Sequence, residues 1–119
     1  MKTESVKFPA IADPVLFYIG KSQDENHGLL DLAKPEDLWF HLGSDSSAHV
    51  IGVVPTGLPR KHLSYIVKRG ALLCKQNTAK VANRQNVAVI YTRVRNVAKT
   101  ETPGEVVTQD TQLIICYKN

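Results

Sequence analysis

The sequence predicts an α+β fold: a mostly antiparallel β-sheet packed on one main amphipathic helix at about residues 59–76. Three observations carry that expectation. Short runs rich in β-branched and aromatic residues lie on both sides of a single stretch with helical periodicity. Gly, Pro, Asn and Asp punctuate the runs as turn formers do. Strands and helices do not alternate as a βαβ fold requires.

Residues 1–13 read as a lead-in segment. Val15–Ile19 is a first strand, closed by Gly20. Residues 21–34 are polar with scattered leucines, a loop with a short helical turn around Leu29–Leu32. Pro35 and Glu36 lead into a second strand, Leu38–Leu42. Gly43–Ser47 supplies a tight turn, and Val50–Val54 returns as the hairpin partner. Pro55, Gly57 and Pro59 end that strand.

The helix begins with proline in its first turn and runs to Gln76. At about 100° per residue, Leu63, Ile66, Val67, Ala71, Leu73 and Cys74 fall within one arc of about 160°. Leu63, Ile66, Val67, Ala71 and Cys74 are expected to be buried. Lys61, Lys68 and Lys75, spaced by seven, are expected along one exposed line, with Tyr65 and Arg69 beside them. Gly70 falls on the buried side, where it weakens the helix but lets a neighbour approach closely. Residues 78–85 form a polar connection. Val87–Thr92 is a strong strand, and Arg93–Lys99 extends it or pairs after a bend. Thr102–Glu105 is a turn, and Val106–Val107 and Leu113–Tyr117 finish the domain as strands. No repeat or linker divides the chain, so residues 14–119 read as a single domain.

With 119 residues the chain can bury about two thirds of its unfolded surface, so it needs no disulfide or metal staple. A composition of 43% hydrophobic and 22% charged residues excludes wholesale disorder. The longest apolar stretches are too short to span a bilayer, and Met1–Ser5 holds no apolar run of a signal peptide. Cys74 and Cys116 form no C-x-x-C pair, which argues against a disulfide scaffold and a structural zinc site. A reducing compartment is expected, cytoplasmic or else nuclear. The composition leaves the oligomeric state open.

Charge is distributed unevenly. Residues 1–59 hold four Lys/Arg against eight Asp/Glu; residues 60–99 hold ten Lys/Arg and no acid; residues 100–119 hold one base and three acids. The whole positive excess lies in forty consecutive residues, a block that attracts polyanions.

Catalytic patterns are lacking. The histidines are His27, His41, His49 and His62, and His41 and His49 could face each other across the hairpin. No H-x-H, H-E-x-x-H or nearby cysteine completes a metal site. Asp37 and His41 could act as orienter and base, yet no serine or cysteine elbow accompanies them. The expectation is a protein that is not an enzyme, with no catalytic residue, metal or cofactor. Alternation places Trp39 and His41 on one face of their strand and Leu38, Phe40 and Leu42 on the other. Trp39 and His41 then form either a stacking surface for a base or part of a core, if the sheet is covered on both sides.

Gly20-Lys21 with Asn26, then Asp37-Leu38-Trp39-Phe40-His41, then Ser46-Ser47-Ala48-His49-Val50 resembles the NFACT-R family, with its G-[RK]-x-x-x-x-N, D-[IL]-W-F-H and serine-histidine segments. Lys75–Thr78, Asn86–Thr92, Val94–Lys99 and Pro103–Val106 follow the family's later order, so the likeness covers roughly Pro14 to Tyr117. It is nearest to the stand-alone form of the domain found in a small eukaryotic coiled-coil protein. The resemblance implies a non-catalytic module that binds RNA or DNA; in large relatives the domain belongs to ribosome quality-control factors that engage the large ribosomal subunit and tRNA. Asp37, Trp39, His41, Ser47 and His49 are the family-motif residues.

Together these readings predict a nucleic-acid-binding domain for tRNA or rRNA. The expected contacts are Lys61, Lys68, Arg69, Lys75, Lys80, Arg84, Arg93, Arg95 and Lys99. The alternatives are a DNA-binding module and a protein–protein adaptor on the ribosome. Trp39 is expected to be mostly structural, with at least one of His41 and His49 partly exposed at the edge of the basic face.

Overall fold

The computed structural model describes residues 1–43 and 46–117. The fold is α+β, with an antiparallel sheet and one main helix, as the sequence predicts. Residues 1–13 do more than lead in: they form strand β1 (Lys2–Val6) and give Val6, Phe8 and Ile11 to the core. Strand β2 (Val15–Gly20) pairs with β1 along its length. Helix α1 (Gln23–Leu32) then occupies most of the segment expected as a loop. The Ser22 hydroxyl caps it, accepting from the Glu25 amide at 3.1 Å, while the Glu25 carboxylate accepts from the Lys21 amide at 3.0 Å.

Strands β3 (Leu38–Leu42) and β4 (His49–Gly52) make the expected hairpin, with Trp39 opposite Ile51. Within the turn expected at Gly43–Ser47, Ser44 and Asp45 lie outside the described residues. A 3₁₀ turn (Arg60–His62) opens helix α2 (Leu63–Gln76). Strand β5 (Val87–Arg93) runs into a second 3₁₀ turn (Val94–Asn96), followed by β6 (Val97–Lys99), β7 (Val106–Thr108) and β8 (Gln112–Cys116). The six-stranded sheet has the order β1-β2-β4-β3-β5-β8, antiparallel at every step; β6 and β7 form a separate hairpin.

Both faces of the sheet are covered. The period of two sends Leu38, Phe40 and Leu42 to the α2 side, where they pack with Phe17, Val50, Val89, Ile66 and Ala71. Trp39 and Ile51 point the other way, into a smaller core with Leu29 of α1 and Val94. Ile66, Val67, Ala71, Leu73 and Cys74 are buried as the helical arc predicts, and Leu63 is half-buried. Gly70 lies against Phe40 so closely that an added Cβ would stand 2.2 Å from the ring's Cζ, which is why this helix carries a glycine in its middle. Among the described residues no helix is long and apolar enough to cross a membrane.

Candidate nucleic-acid interface

The basic block does not form one surface. Its cations scatter, and four of them line a groove of about 930 Å³ between the amino-terminal half of α2 and the β5 end of the sheet. Alternation along β5 puts Tyr91 and Arg93 on the α2 side, and the 3₁₀ turn after it carries Arg95 to the same opening. Arg60, from the turn before α2, and Lys68, from its second turn, come from across the groove. The floor is Tyr91, whose ring stacks on Phe40 at 5.9 Å and whose hydroxyl donates to Gln112 Oε1 at 2.9 Å. Among the described lining residues Asp110 is the one acid.

Backbone clamps hold this rim. The amides of Val94 and Arg95 donate to the carbonyls of Asp37 (2.8 Å) and Pro35 (3.1 Å). The buried Asp37 carboxylate in turn accepts from the amides of Lys34 (2.8 Å) and Val54 (2.9 Å). Asp37 is therefore a structural knot between the 34–37 turn, the end of β4 and, through its carbonyl, the arginine turn. It is not an orienter of His41.

Of the predicted contacts, Lys68, Arg93 and Arg95 come together in the groove, although Arg93 also donates to the Glu36 carbonyl. Lys61, Lys80 and Arg84 are exposed but do not line it. Arg69 places its guanidinium 5.7 Å from the centre of the Phe8 ring. Lys99 pairs with Asp31 of α1 at 2.8 Å, on the opposite side of the sheet. Lys75 overturns the expected three-lysine row. It is fully buried, its Nζ donating to the Ala82 carbonyl at 2.7 Å, because residues 78–84 fold back in successive turns over the end of α2. Helical spacing gives a direction around the axis, and here a non-local segment covers that direction. Arg60 and Tyr91 were not among the expected contacts; the i, i+2 spacing of Tyr91 and Arg93 was a signal for the second.

The motif histidines lie elsewhere. His41 and His49 share the α1 side of the sheet with Trp39, facing away from α2, so they do not edge the basic helix. Trp39 is buried at 2% exposure and structural, as expected, and His41 is half-buried. The His41 ring stacks on Trp39 at 5.6 Å and 11°, and His49 meets His41 edge-on at 4.8 Å. Burial pushes the His49 imidazole down to about 3, with His41 and His27 adding to the effect. Burial also lowers His41, against the opposing pull of its hydrogen bond to the Leu42 carbonyl. Ser47 is a loop staple: its hydroxyl accepts from the Leu42 amide at 3.0 Å and donates to the Ala48 carbonyl at 2.8 Å. Burial drives the Cys74 thiol up to about 12, so it is no nucleophile. Among the described residues no group of three His, Cys, Asp or Glu could hold a metal ion.

A six-stranded antiparallel sheet crossed by one main helix is a frame that can carry many functions, and a family model specifies which domain this is. The model of the NFACT protein RNA binding domain matches residues 6–114, and the chain belongs to that family. It is 34% identical over 95 residues to coiled-coil domain-containing protein 25 of Danio rerio, covering 76% of this chain and 44% of that protein. The Dictyostelium discoideum homolog is 32% identical over 94 residues, covering 78% and 46%. The chain thus spans less than half the length of these relatives. The C-terminal part of the fibronectin/fibrinogen-binding protein from Streptococcus suis shares the fold, with a TM-score of 0.81 at 19% identity, over 100% of this chain and 47% of that one.

Proposed function

We propose that this domain grips RNA by its phosphates in the groove between α2 and β5, and that its targets are tRNA or rRNA in a ribosome-associated, cytoplasmic setting. The observation that carries the reading is the convergence of Arg60, Lys68, Arg93 and Arg95, from two distant parts of the chain, on one groove with a single acid among the described lining residues. Phosphate contacts of this kind supply affinity and register, and their count sets the salt dependence. Tyr91 on the floor can stack on a base, which needs no particular sequence. Family membership supports RNA as the polyanion.

The test is affinity for tRNA and for an rRNA fragment across a salt series, with duplex DNA of equal charge alongside. Each neutralised phosphate contributes about −0.7 to −0.9 to the log–log slope. Lys68→Gln with Arg95→Gln, both exposed positions, should flatten the slope by about 1.5 units. Lys61→Gln with Arg84→Gln should change it by less than about half a unit. A slope unmoved by the groove pair refutes the groove and favours an adaptor role; tighter binding of duplex DNA refutes RNA as the target.

A further inference from the structure

The groove that gathers Arg60, Lys68, Arg93 and Arg95 also holds Asp110, and an acid there works against the grip. A carboxylate repels every phosphate that the cations attract, so it lowers affinity for any polyanion. Asp110 is exposed, in the turn between β7 and β8. That turn is pinned to β5: the Thr92 hydroxyl reaches the Gln109 carbonyl at 3.1 Å and the Asp110 carbonyl at 3.2 Å, and the Gln109 amide donates to the Asn96 carbonyl at 3.0 Å.

The backbone of the turn does not require the charge. Asp110 has a φ of 52°, in the left-handed region, which Asn and Gly enter at least as readily; Asn86 occupies the same region elsewhere in the chain. Nor does the fold use the carboxylate. Among the described residues it takes no hydrogen bond and no ion pair, although four cations line the same groove.

A nucleic-acid backbone offers a carboxylate little to accept. Its phosphates carry no proton at neutral pH, and the sugar of DNA has no 2′-hydroxyl; the ribose 2′-OH alone can donate. Position points to the same group. Along β5, Tyr91 supplies a ring for a base, and Arg93 and Arg95 supply guanidiniums for a phosphate. Thr92, to which the Asp110 turn is pinned, lies between them in the chain, as the sugar lies between base and phosphate in a nucleotide.

We propose that Asp110 is the residue by which the groove tells RNA from DNA, its carboxylate accepting a hydrogen bond from a ribose 2′-OH. On RNA that bond offsets the repulsion, and on DNA the repulsion stands alone. The inference rests on the groove being the RNA grip and goes beyond it by naming what the groove selects.

The test uses single strands of about ten nucleotides with one base throughout: oligo(U), oligo(dU) and 2′-fluoro oligo(U), which keeps the ribose pucker but has no hydroxyl to donate. Affinities are read by fluorescence anisotropy. The intact chain should bind oligo(U) about tenfold more tightly than either of the others. Asp110→Gly keeps the left-handed turn and removes the carboxylate; it should tighten oligo(dU) and bring all three strands within about twofold. Asp110→Asn keeps an acceptor oxygen without the charge and should retain a preference of about threefold for oligo(U). Lys68→Gln with Arg95→Gln should weaken all three strands and leave the preference in place. Equal binding of oligo(U) and its 2′-fluoro form by the intact chain means that pucker is read, not the hydroxyl, and overturns the assignment. So does a folded Asp110→Gly protein that tightens all three strands equally, which makes Asp110 a repulsive rim and leaves the groove standing. Full affinity for all three strands in the Lys68→Gln, Arg95→Gln protein refutes the groove itself, and Asp110 falls with it.

Discussion

Lys75 offers the sharpest test of the distinction between a cation that grips and one that holds the fold. Its side chain is fully buried beneath residues 78–84, with Nζ 2.7 Å from the Ala82 carbonyl. Truncation to alanine removes a buried four-carbon stem, and losses of about 2–5 kcal/mol accompany such deletions of large side chains. It also strands the Ala82 carbonyl, worth about a further 1 kcal/mol. Offsetting both is the relief of no longer desolvating Nζ, so a net loss of about 2–4 kcal/mol is expected for Lys75→Ala. The unfolding entropy of a chain this size is about 250 cal/mol/K, so the melting temperature should fall by about 8–16 °C. Lys75→Met restores the stem and should recover most of that loss. Calorimetry gives the first quantity, and the salt series for RNA gives the second. Neither variant should alter the slope, because Nζ never reaches the solvent. A Lys75→Ala protein with unchanged melting temperature and a slope flattened by about one unit would put Lys75 outside, in the grip, and refute the reasoning.

Gly70→Ala sets an overpacking cost of about 1–3 kcal/mol against Phe40 in opposition to a helix-propensity gain of about 1 kcal/mol, so thermal unfolding should show a net loss. Gly28→Ala, in α1 with nothing within 4 Å of the added carbon, should instead gain about 0.5–1 kcal/mol. Acid should destabilise the fold through His49: the unfolded imidazole takes its proton near 6.5 and the folded one only near about 3, so stability is present above pH 6.5 and lost as pH falls toward 3. From pH 7 to pH 5 that amounts to about 2 kcal/mol, and His49→Gln should remove that dependence in melting curves. Asp37→Asn, which replaces one of two carboxylate oxygens accepting backbone amides, should cost about 2 kcal/mol by chemical denaturation.

Strands β2, β3, β4, β5 and β8 and helix α2 were legible because each obeys its own period and ends at a turn former. Strand β1 was not: Lys-Thr-Glu-Ser-Val buries only its last residue at the sheet's edge, so no alternation marks it. Helix α1 carried a readable start in Ser22 and Glu25, but its weakly amphipathic body hid its length. The candidate site was legible in content and not in arrangement. Arg93 and Arg95 could be named from the basic block, but their meeting with Arg60 depends on how α2 crosses the sheet. Lys75 failed for the converse reason, since no local pattern reveals that a downstream turn covers a helix face. Trp39, His41 and His49 were paired correctly across the hairpin, while the face they occupy depended on which side α2 would take.

The strand order has a consequence for how the domain is made. Strand β5 lies between β3 and β8, and β8 is synthesised after the other five strands of this sheet. At ordinary elongation rates the emerging chain spends about 1–5 s with β5 complete and its outer edge unpaired. During that interval the backbone groups that later bond to β8 are a template for any extended chain nearby. A nascent chain arrested before Gln112 therefore carries the complete α2 and the whole arginine turn beside an unclosed sheet. Its cationic groove also lacks Gln112 and Ile114, which line one wall. Assembly of the groove is thus coupled to β8, and incomplete products carry a sticky edge before the groove is whole.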